Sequence, residues 1–308
     1  MVRRNILLTP GPATTSDSVK NAQIVPDICP RELEFGELME SISLDLVKLA
    51  GGDENYVGVL FGGSGTAGME IVMNSVVHNG RVLIINNGAY GNRFVKIAEV
   101  HGLEYKQMKF DWDKEIDLKK IEEELAKDPK IKYLAAVHHE TTTGILNPIE
   151  EISKIAKKNN CISIVDTVSS FAGIPFNIKS SGVDFIFSTS NKCLQGMAGV
   201  TFIICKKSEL EKLKDFKKRS FYLDLYSQYD YFKKTKQMQF TAPVQTIYAL
   251  RKAIDECIAE GVENRFKRYK ENFDVLVKGM QELGFKKIFD KEKESFLLVT
   301  FFEPKDKN

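Results

Sequence analysis

Short apolar runs alternate with amphipathic segments along the first two thirds of the chain. Six such runs are bounded by polar or glycine-rich stretches, at 56–61, 81–85, 133–138, 161–165, 185–187 and 200–205, and the more polar stretch at 104–110 is a seventh candidate strand. Apolar runs of this length are typical of buried strands, and helical spacing of apolar residues fills most of the gaps. Strands that alternate with helices form parallel sheets. The pattern therefore predicts an α/β fold with a mostly parallel, seven-stranded, doubly wound sheet.

The alternation stops after about residue 208. Two long amphipathic helices are predicted at 243–260 and 262–283, followed by one strand at 296–302. One or two strands without a covering helix make a poor domain edge, so this smaller α+β part looks incomplete. We therefore predict three parts: an N-terminal loop at 1–15, a large α/β domain at 16–240, and a small C-terminal domain at 241–308.

Composition narrows the class of partner. The chain has 308 residues and a net charge of +2, with both signs interspersed, which argues against a nucleic-acid or membrane partner. The five cysteines form no Cys-x-x-Cys pair, so we expect neither a disulfide framework nor a metal site. The N-terminal apolar patch is too short for a signal peptide, and no apolar run is long enough to span a membrane. These features predict a protein of the reducing cytoplasm.

Two strand ends carry the candidate chemistry. The run at 185–187 leads into a polar loop that contains Lys192, and the run at 161–165 ends at Asp166. Open α/β sheets bind their ligands beyond the carboxyl ends of the strands, so both side chains should reach one crevice. A lysine can hold pyridoxal phosphate as a Schiff base, and an aspartate can pair with its pyridinium nitrogen. Alone, each residue is also compatible with an ordinary surface position.

The segment 62–68, Gly-Gly-Ser-Gly-Thr-Ala-Gly, lies between a predicted strand and a predicted helix. It satisfies the dinucleotide pattern G-x-G-x-x-G, but the second strand ends in Asn86-Asn87-Gly88 and lacks the acidic residue that binds ribose. A helix N-terminus also binds a single phosphate, and Ser64 and Thr66 add hydroxyl donors. A lysine, a carboxylate and one monophosphate site together match pyridoxal 5'-phosphate better than a nicotinamide.

These motifs, together with Leu-Thr-Pro-Gly-Pro at 8–12, Asn-Gly-Ala-Tyr-Gly at 87–91 and Glu-Thr-Thr-Thr-Gly-Ile-Leu-Asn-Pro at 140–148, occur in one order. In that order they resemble the class V aminotransferases of pyridoxal-phosphate fold type I. The blocks at 140–148 and 188–193 resemble most closely the members that act on phosphonates. The resemblance implies transfer of an amino group from an aminophosphonate donor to pyruvate, a 2-oxo acid acceptor.

The resemblance also implies roles for particular residues. Lys192 and Asp166 would be catalytic, with Lys192 as the Schiff-base lysine. The implied cofactor contacts are Ser64, Gly65, Thr66, Tyr90, Thr143, Asp166, Lys192 and Thr241. Tyr90 would stack on the pyridine ring, and Thr143 would place a hydroxyl near the phenolic oxygen. Thr241 would reach the phosphate of a neighbouring subunit, because the family forms homodimers with shared active sites. His138 and His139 are interpreted as structural.

One departure leaves alternatives open. In this family an arginine near the C-terminus binds the acidic group of the substrate, and no such motif is present here. Either the sequence is shortened or another arginine substitutes, with Arg31 and Arg93 as candidates. The alternatives are an alanine–glyoxylate or serine–pyruvate type aminotransferase, a dehydrogenase, and a shortened homologue that binds the cofactor without turnover. A cysteine desulfurase is disfavoured because no mobile-loop cysteine motif is visible.

Overall fold

The computed structural model of the chain describes residues 5–112, 114–289 and 294–303. Residues 1–4 of the predicted N-terminal loop and residues 304–308 of the predicted C-terminal domain lie outside these ranges. The described strands are β1 (Tyr56–Gly62), β2 (Arg81–Asn86), β3 (Tyr105–Lys109), β4 (Ile131–Val137), β5 (His139–Glu140), β6 (Ile145–Leu146), β7 (Ile162–Asp166), β8 (Phe185–Thr189) and β9 (Val200–Lys206). Seven of them form the main sheet, which confirms the predicted strand number.

The main sheet has the order β1-β9-β8-β7-β4-β2-β3, and β5 pairs with β6 in a separate two-stranded sheet. β2, β3, β4, β7 and β8 are joined by parallel pairings. β9 runs antiparallel to both of its neighbours, β8 and β1. Six strands therefore point the same way and deliver their carboxyl ends to one edge of the sheet, as the sequence predicts.

Helices precede, connect and follow these strands. They are α1 (Asp17–Asn21), α2 (Leu33–Leu49), α3 (Gly65–Val76), α4 (Ala89–Val100), α5 (Leu118–Lys127), α6 (Ile149–Lys158), α7 (Ile178–Ser181), α8 (Lys207–Lys212), α9 (Leu225–Thr235), α10 (Val244–Glu260) and α11 (Val262–Glu282). Local signals set several boundaries. The Ser16 hydroxyl accepts from the third backbone N–H of α1, and the Asp117 carboxylate accepts from two N–H groups at the start of α5.

Helices cover both faces of the main sheet, and the side chains that alternate along its inner strands are buried on both faces, whereas those of the edge strand β3 are half-buried or exposed. On β8, Phe185 and Phe187 pack in one cluster with α3 and α4, whereas Ile186 packs in the opposite cluster with α2 and α10. On β2, Ile84 belongs to the first cluster, while Leu83 lies against α5 and α6. Helices on both faces confirm the doubly wound architecture.

The C-terminal helices share the core of the large domain. Ile247, Leu250 and Ile254 of α10 are fully buried in the cluster that contains Phe202 and Ile204 of β9. A boundary at residue 241 therefore falls within a continuous apolar cluster, and the division into domains stays a prediction.

The strand predicted at 296–302 is wrong. Residues 294–303 form only isolated bridges, between Glu294 and Ile145 and between Phe301 and Lys287. Phe296 has a φ of +59°, which interrupts an extended backbone. Its ring packs edge-on against Phe266 and Phe273 of α11. The apolar run is thus used to cover a helix rather than to extend a sheet.

Two helical glycines are expected to respond oppositely to alanine. A Cβ atom at Gly68 of α3 would overlap the Thr201 hydroxyl and approach Phe187 to 3.3 Å, whereas one at Gly279 of α11 would meet nothing within 4 Å. Gly68→Ala should lower the free energy of unfolding by about 1–3 kcal/mol through overpacking. Gly279→Ala should raise it by about 0.5–1 kcal/mol, because glycine is a poor helix former.

Chemical denaturation of both variants beside the unchanged protein tests this pair. If both variants raised the free energy of unfolding by a similar amount, helix propensity, and not the close approach of α3 to the sheet, would govern position 68.

Candidate active site

Lys192 lies in the connection between β8 and β9, beneath the N-terminal segment. Its Nζ donates a hydrogen bond to the carbonyl oxygen of Pro10 at 3.2 Å. The backbone N–H of Ala13 donates to the carbonyl of Asn191 at 2.9 Å. Gly11 has a φ of +144°, and a Cβ atom there would overlap the Lys192 side chain. The residues before α1 therefore form a cover that is fitted closely to the amine.

Asp166 is the last residue of β7 and is 3% exposed. Its Oδ1 accepts a hydrogen bond from the backbone N–H of Val168 at 2.8 Å. Burial raises the pKa of the Asp166 carboxyl to about 7, and the nearby Glu140 adds to the rise. Arg93 and Lys192 oppose it. A buried carboxyl of this kind is suited to a cationic ligand, which would restore its charge.

Lys192 and Asp166 line the same cavity, of about 170 Å³. Six of the predicted site residues are among its lining groups, which are Ser64, Gly65, Thr66, Met69, Tyr90, Arg93, Asp166, Val168, Thr189, Asn191 and Lys192. A smaller adjoining cavity shares Tyr90, Asp166, Val168 and Lys192 and adds His139, Thr141 and Ser169. The structure thus brings the ends of β1, β2, β5, β7 and β8 together at one place.

The N-terminus of α3 opens into this cavity. Ser64 occupies the N-cap position but makes no capping hydrogen bond, so the first-turn N–H groups are left to a ligand. Arg93 donates from Nη1 to the Thr66 hydroxyl at 3.0 Å and lies 4.6 Å from the centre of the Tyr90 ring. An uncapped helix start beside a guanidinium is a favourable site for a phosphate.

Tyr90 is held by the N-terminus of α4. The Glu140 carboxylate, which is fully buried, accepts from the N–H groups of Tyr90 and Gly91 at 3.0 and 3.2 Å. The Thr142 hydroxyl accepts from the N–H of Ala89 at 2.9 Å. Glu140 and Thr142 therefore cap a helix fifty residues away in sequence, which fixes the ring at the cavity wall.

His139 was interpreted from sequence as structural, but it lines the smaller cavity. It is 2% exposed, and neither ring nitrogen has a hydrogen-bond partner. Burial lowers the pKa of His139 to about 3, and His138 and Lys192 contribute, so the imidazole is neutral. A buried polar group without a partner is costly unless a ligand or water satisfies it. The orphaned imidazole therefore fits a site that is completed by a bound group.

Three predicted residues lie elsewhere. Thr143 is buried without a partner for its hydroxyl, and its carbonyl accepts from Thr300 at 2.9 Å; Thr141 lines the cavity instead. Thr241 is exposed before α10 and does not line the cavity in this chain. Arg31 does not line the cavity, and its guanidinium donates to the carbonyl oxygens of Met238 and Gln239.

Two other chemistries find no support. Among the residues that the structure describes, no group of three or more His, Cys, Asp or Glu side chains could hold a metal ion. Burial raises the pKa of the Cys193 thiol to about 11, so the residue after Lys192 stays protonated at neutral pH. Within the same described ranges, no helix combines the length and apolar character required to cross a bilayer.

Comparison with known proteins agrees with this geometry. A 2-aminoethylphosphonate–pyruvate transaminase of Phocaeicola vulgatus is 42% identical over an alignment of 308 positions, which covers 98% of this chain and 84% of the relative. One from Vibrio vulnificus is 39% identical and covers 99% and 83%. The crystal structure of an alanine–glyoxylate aminotransferase from Nostoc sp. superposes with a TM-score of 0.92 at 29% identity, over 99% of this chain and 81% of the other.

The family model described as Aminotransferase class-V matches residues 21–305, which include the whole main sheet and every group that lines the two cavities. The architecture is accordingly fold type I of the pyridoxal-phosphate enzymes, as the motifs predict. The chain belongs to the class-V aminotransferase family.

Proposed function

We propose that this aminotransferase transfers the amino group of 2-aminoethylphosphonate to pyruvate, giving phosphonoacetaldehyde and L-alanine. The observation that carries the proposal is the cavity shared by Lys192, Asp166 and the uncapped start of α3. A reactive amine, a proton-binding carboxyl and a phosphate site together provide the groups that transamination with a phosphorylated aldehyde cofactor requires. The choice of donor rests on the two relatives named for this reaction.

The cofactor that these residues fit is pyridoxal 5'-phosphate. Lys192 would hold it covalently, and the N–H groups of Gly65 and Thr66, with the Ser64 hydroxyl, would bind its phosphate. Asp166 would face the ring nitrogen, and Tyr90 would lie against one face of the ring. When bound, the cofactor supplies a protonated ring that withdraws electrons from the amine-bearing carbon of the substrate.

Each protein group then has a limited task. Lys192 Nζ, once the substrate amine has replaced it, would carry the proton that leaves the amine-bearing carbon of the substrate. Asp166 holds the proton on the ring nitrogen, because a cation beside this buried carboxyl favours its ionised form. Pro10 and Gly11 cover Nζ and limit the access of water.

Part of the proposal concerns a second copy of the chain. We propose a homodimer with shared active sites, in which Thr241 reaches the phosphate bound by the partner. The exposed position of Thr241 in one chain leaves it free for such a contact.

All five cysteines are unpaired, as suits the reducing cytoplasm predicted from the sequence.

A specific observation favours a second candidate. The solved alanine–glyoxylate aminotransferase has nearly the same fold, so the architecture accepts an amino acid as donor as well as an aminophosphonate. The remaining alternative is a protein that binds the cofactor without turnover. Of the two arginines considered from the sequence, Arg93 lines the cavity and Arg31 does not. Arg93 is therefore the better candidate to bind the acidic group of a substrate.

The visible absorption spectrum separates these candidates. The purified protein, loaded with pyridoxal 5'-phosphate, should lose its visible band on addition of 2-aminoethylphosphonate and regain it with pyruvate. Lys192→Ala should lack the band of the covalently bound cofactor and lose at least about a thousandfold in turnover, because the proton carrier is gone. Lys96→Ala, an exposed lysine on α4, is the control and should behave as the unchanged protein.

A band that ignores 2-aminoethylphosphonate but responds to alanine would favour the alanine–glyoxylate type. If the band changes with no amine donor, the remaining interpretation is a protein that binds the cofactor without turnover.

Asp166 should make the stability of the cofactor-free protein depend on pH. The folded carboxyl keeps its proton up to about pH 7, above its ordinary pKa of 3.8, so the folded state binds the extra proton between these values. Stability through this group is therefore present below pH 4 and is lost as the pH rises through 7. Asp166→Asn, which stays neutral, should remove about 2–4 kcal/mol of this loss.

Chemical denaturation of the cofactor-free protein and the Asn variant at pH 5 and pH 8 measures the difference. Identical pH dependence in both would contradict the assignment of the raised pKa to Asp166. The same variant, loaded with cofactor, should bind it more weakly because the ring nitrogen loses its anionic partner.

Thr141 and Thr143 of the 140–144 block provide a matched pair. Thr141→Val should raise the dissociation constant for pyridoxal 5'-phosphate by about fivefold to tenfold, through the loss of one hydrogen bond of about 1 kcal/mol. Thr143→Val should leave it unchanged and keep or increase stability, since its buried hydroxyl has no partner. Equilibrium titration of cofactor-free protein gives both constants, and a larger effect at 143 would restore the original prediction for Thr143.

A further inference from the structure

The connection that carries Lys192 is held from outside the cavity by α11. The carbonyl oxygen of Cys193 accepts a hydrogen bond from Nη1 of Arg265 at 2.8 Å. The side-chain amide of Gln195 donates to the Tyr269 hydroxyl at 2.8 Å. Arg265 and Tyr269 are four residues apart, so they project from the same face of α11 toward the connection.

Arg265 is unusual among the cations of this chain. It is 2% exposed and has the largest side chain among the fully buried residues that the structure describes. Its Nε donates to the Glu260 carboxylate at 2.6 Å, which balances the charge. Burying a guanidinium is costly, and an ion pair at best offsets that cost. The charge-assisted bond to the Cys193 carbonyl is stronger than a neutral one and constrains the direction of the backbone.

The turn itself needs such support. The N–H of Gln195 donates to the carbonyl of Lys192 at 2.8 Å, which closes a turn directly after the lysine. Gln195 adopts a φ of +63°, a left-handed conformation that is unfavourable for a residue other than glycine, asparagine or aspartate. The bond from its side chain to Tyr269 holds it there. The turn therefore persists because α11 constrains it at residues 193 and 195.

We propose that Arg265 and Tyr269 are positioning residues, which fix the turn at 192–195 so that the amine of Lys192 is aimed into the cavity. This inference rests on the proposed function of Lys192 as the covalent cofactor site. Neither residue lines the cavity, so both act through the turn, Arg265 through the Cys193 carbonyl and Tyr269 through the Gln195 side chain. A misplacement of the reacting amine by a fraction of an ångström is enough to slow its reactions.

Arg268 provides a matched control. Its Nε binds the other oxygen of the same Glu260 carboxylate at 2.6 Å, and its Nη2 reaches the oxygen shared with Arg265 at 3.1 Å. It lies over the Tyr269 ring, but it is 44% exposed and makes no hydrogen bond to the turn. Arg268→Gln therefore removes the same kind of ion pair as Arg265→Gln without removing the bond to Cys193. Tyr269→Phe removes only the hydroxyl that accepts from Gln195 and keeps the ring.

The experiment follows the visible band as pyridoxal 5'-phosphate is added to the cofactor-free protein, so it needs no substrate. The rate constant of band formation should fall by about tenfold or more in Arg265→Gln and by about threefold to fivefold in Tyr269→Phe. Arg268→Gln should stay within about twofold of the unchanged protein. With substrates, kcat should fall in Arg265→Gln while KM changes little. Thermal denaturation records the folded fraction of each variant.

Equal rate constants in folded Arg265→Gln and Arg268→Gln would overturn the proposal. If Arg265→Gln does not fold, Tyr269→Phe decides, and a rate within about twofold of the unchanged protein rejects the positioning role. A normal rate of band formation in a protein that ignores 2-aminoethylphosphonate would reject only the choice of donor. Absence of the band in the unchanged protein would reject the cofactor site and the positioning role together.

Discussion

Six strands of the main sheet run in one direction, and this constraint places the functional groups of the chain. Parallel pairing sends the carboxyl ends of β2, β4, β7 and β8 to the same edge, where loops from distant parts of the sequence must meet. The reversed strand β9 keeps β1 parallel to the others, so the start of α3 reaches the same edge. The cavity is thus a consequence of strand direction, and the chemistry depends on which side chains end each strand.

Around that edge, some polar groups face the cavity and others hold the backbone segments that carry them. Lys192, Asp166 and the start of α3 face the cavity, whereas Glu140, Thr142 and Arg265 each bind backbone groups of other segments. Glu140 and Arg265 are as buried as the core, Thr142 is half-buried, and each of the three binds a helix end or a carbonyl. Rigid support of this kind is what a reactive amine requires in order to meet its substrate in one geometry.

Local sequence patterns predicted the strand number, the doubly wound sheet, and the position of Lys192 and Asp166 in one crevice. They missed Glu140 and Arg265, because their partners are fifty or more residues away. The family resemblance assigns the hydroxyl near the cofactor to Thr143. In the structure Thr141 lines the cavity instead, because His139 and Thr141 lie on the same side of an extended segment before the chain turns. The apolar run at 296–302 resembled a strand because periodicity cannot distinguish residues that cover a helix from residues that pair in a sheet.

The raised pKa of Asp166 has a consequence for the protein in its cell. At neutral pH the unloaded chain carries a buried acid that resists ionisation, and a cationic ring beside it removes that penalty. If pyridoxal 5'-phosphate occupies the site as proposed, the loaded form unfolds less often than the unloaded form. Quality-control proteases act on unfolded molecules, so the unloaded form is the one removed. The abundance of this protein would then follow the vitamin supply as well as the expression of its gene.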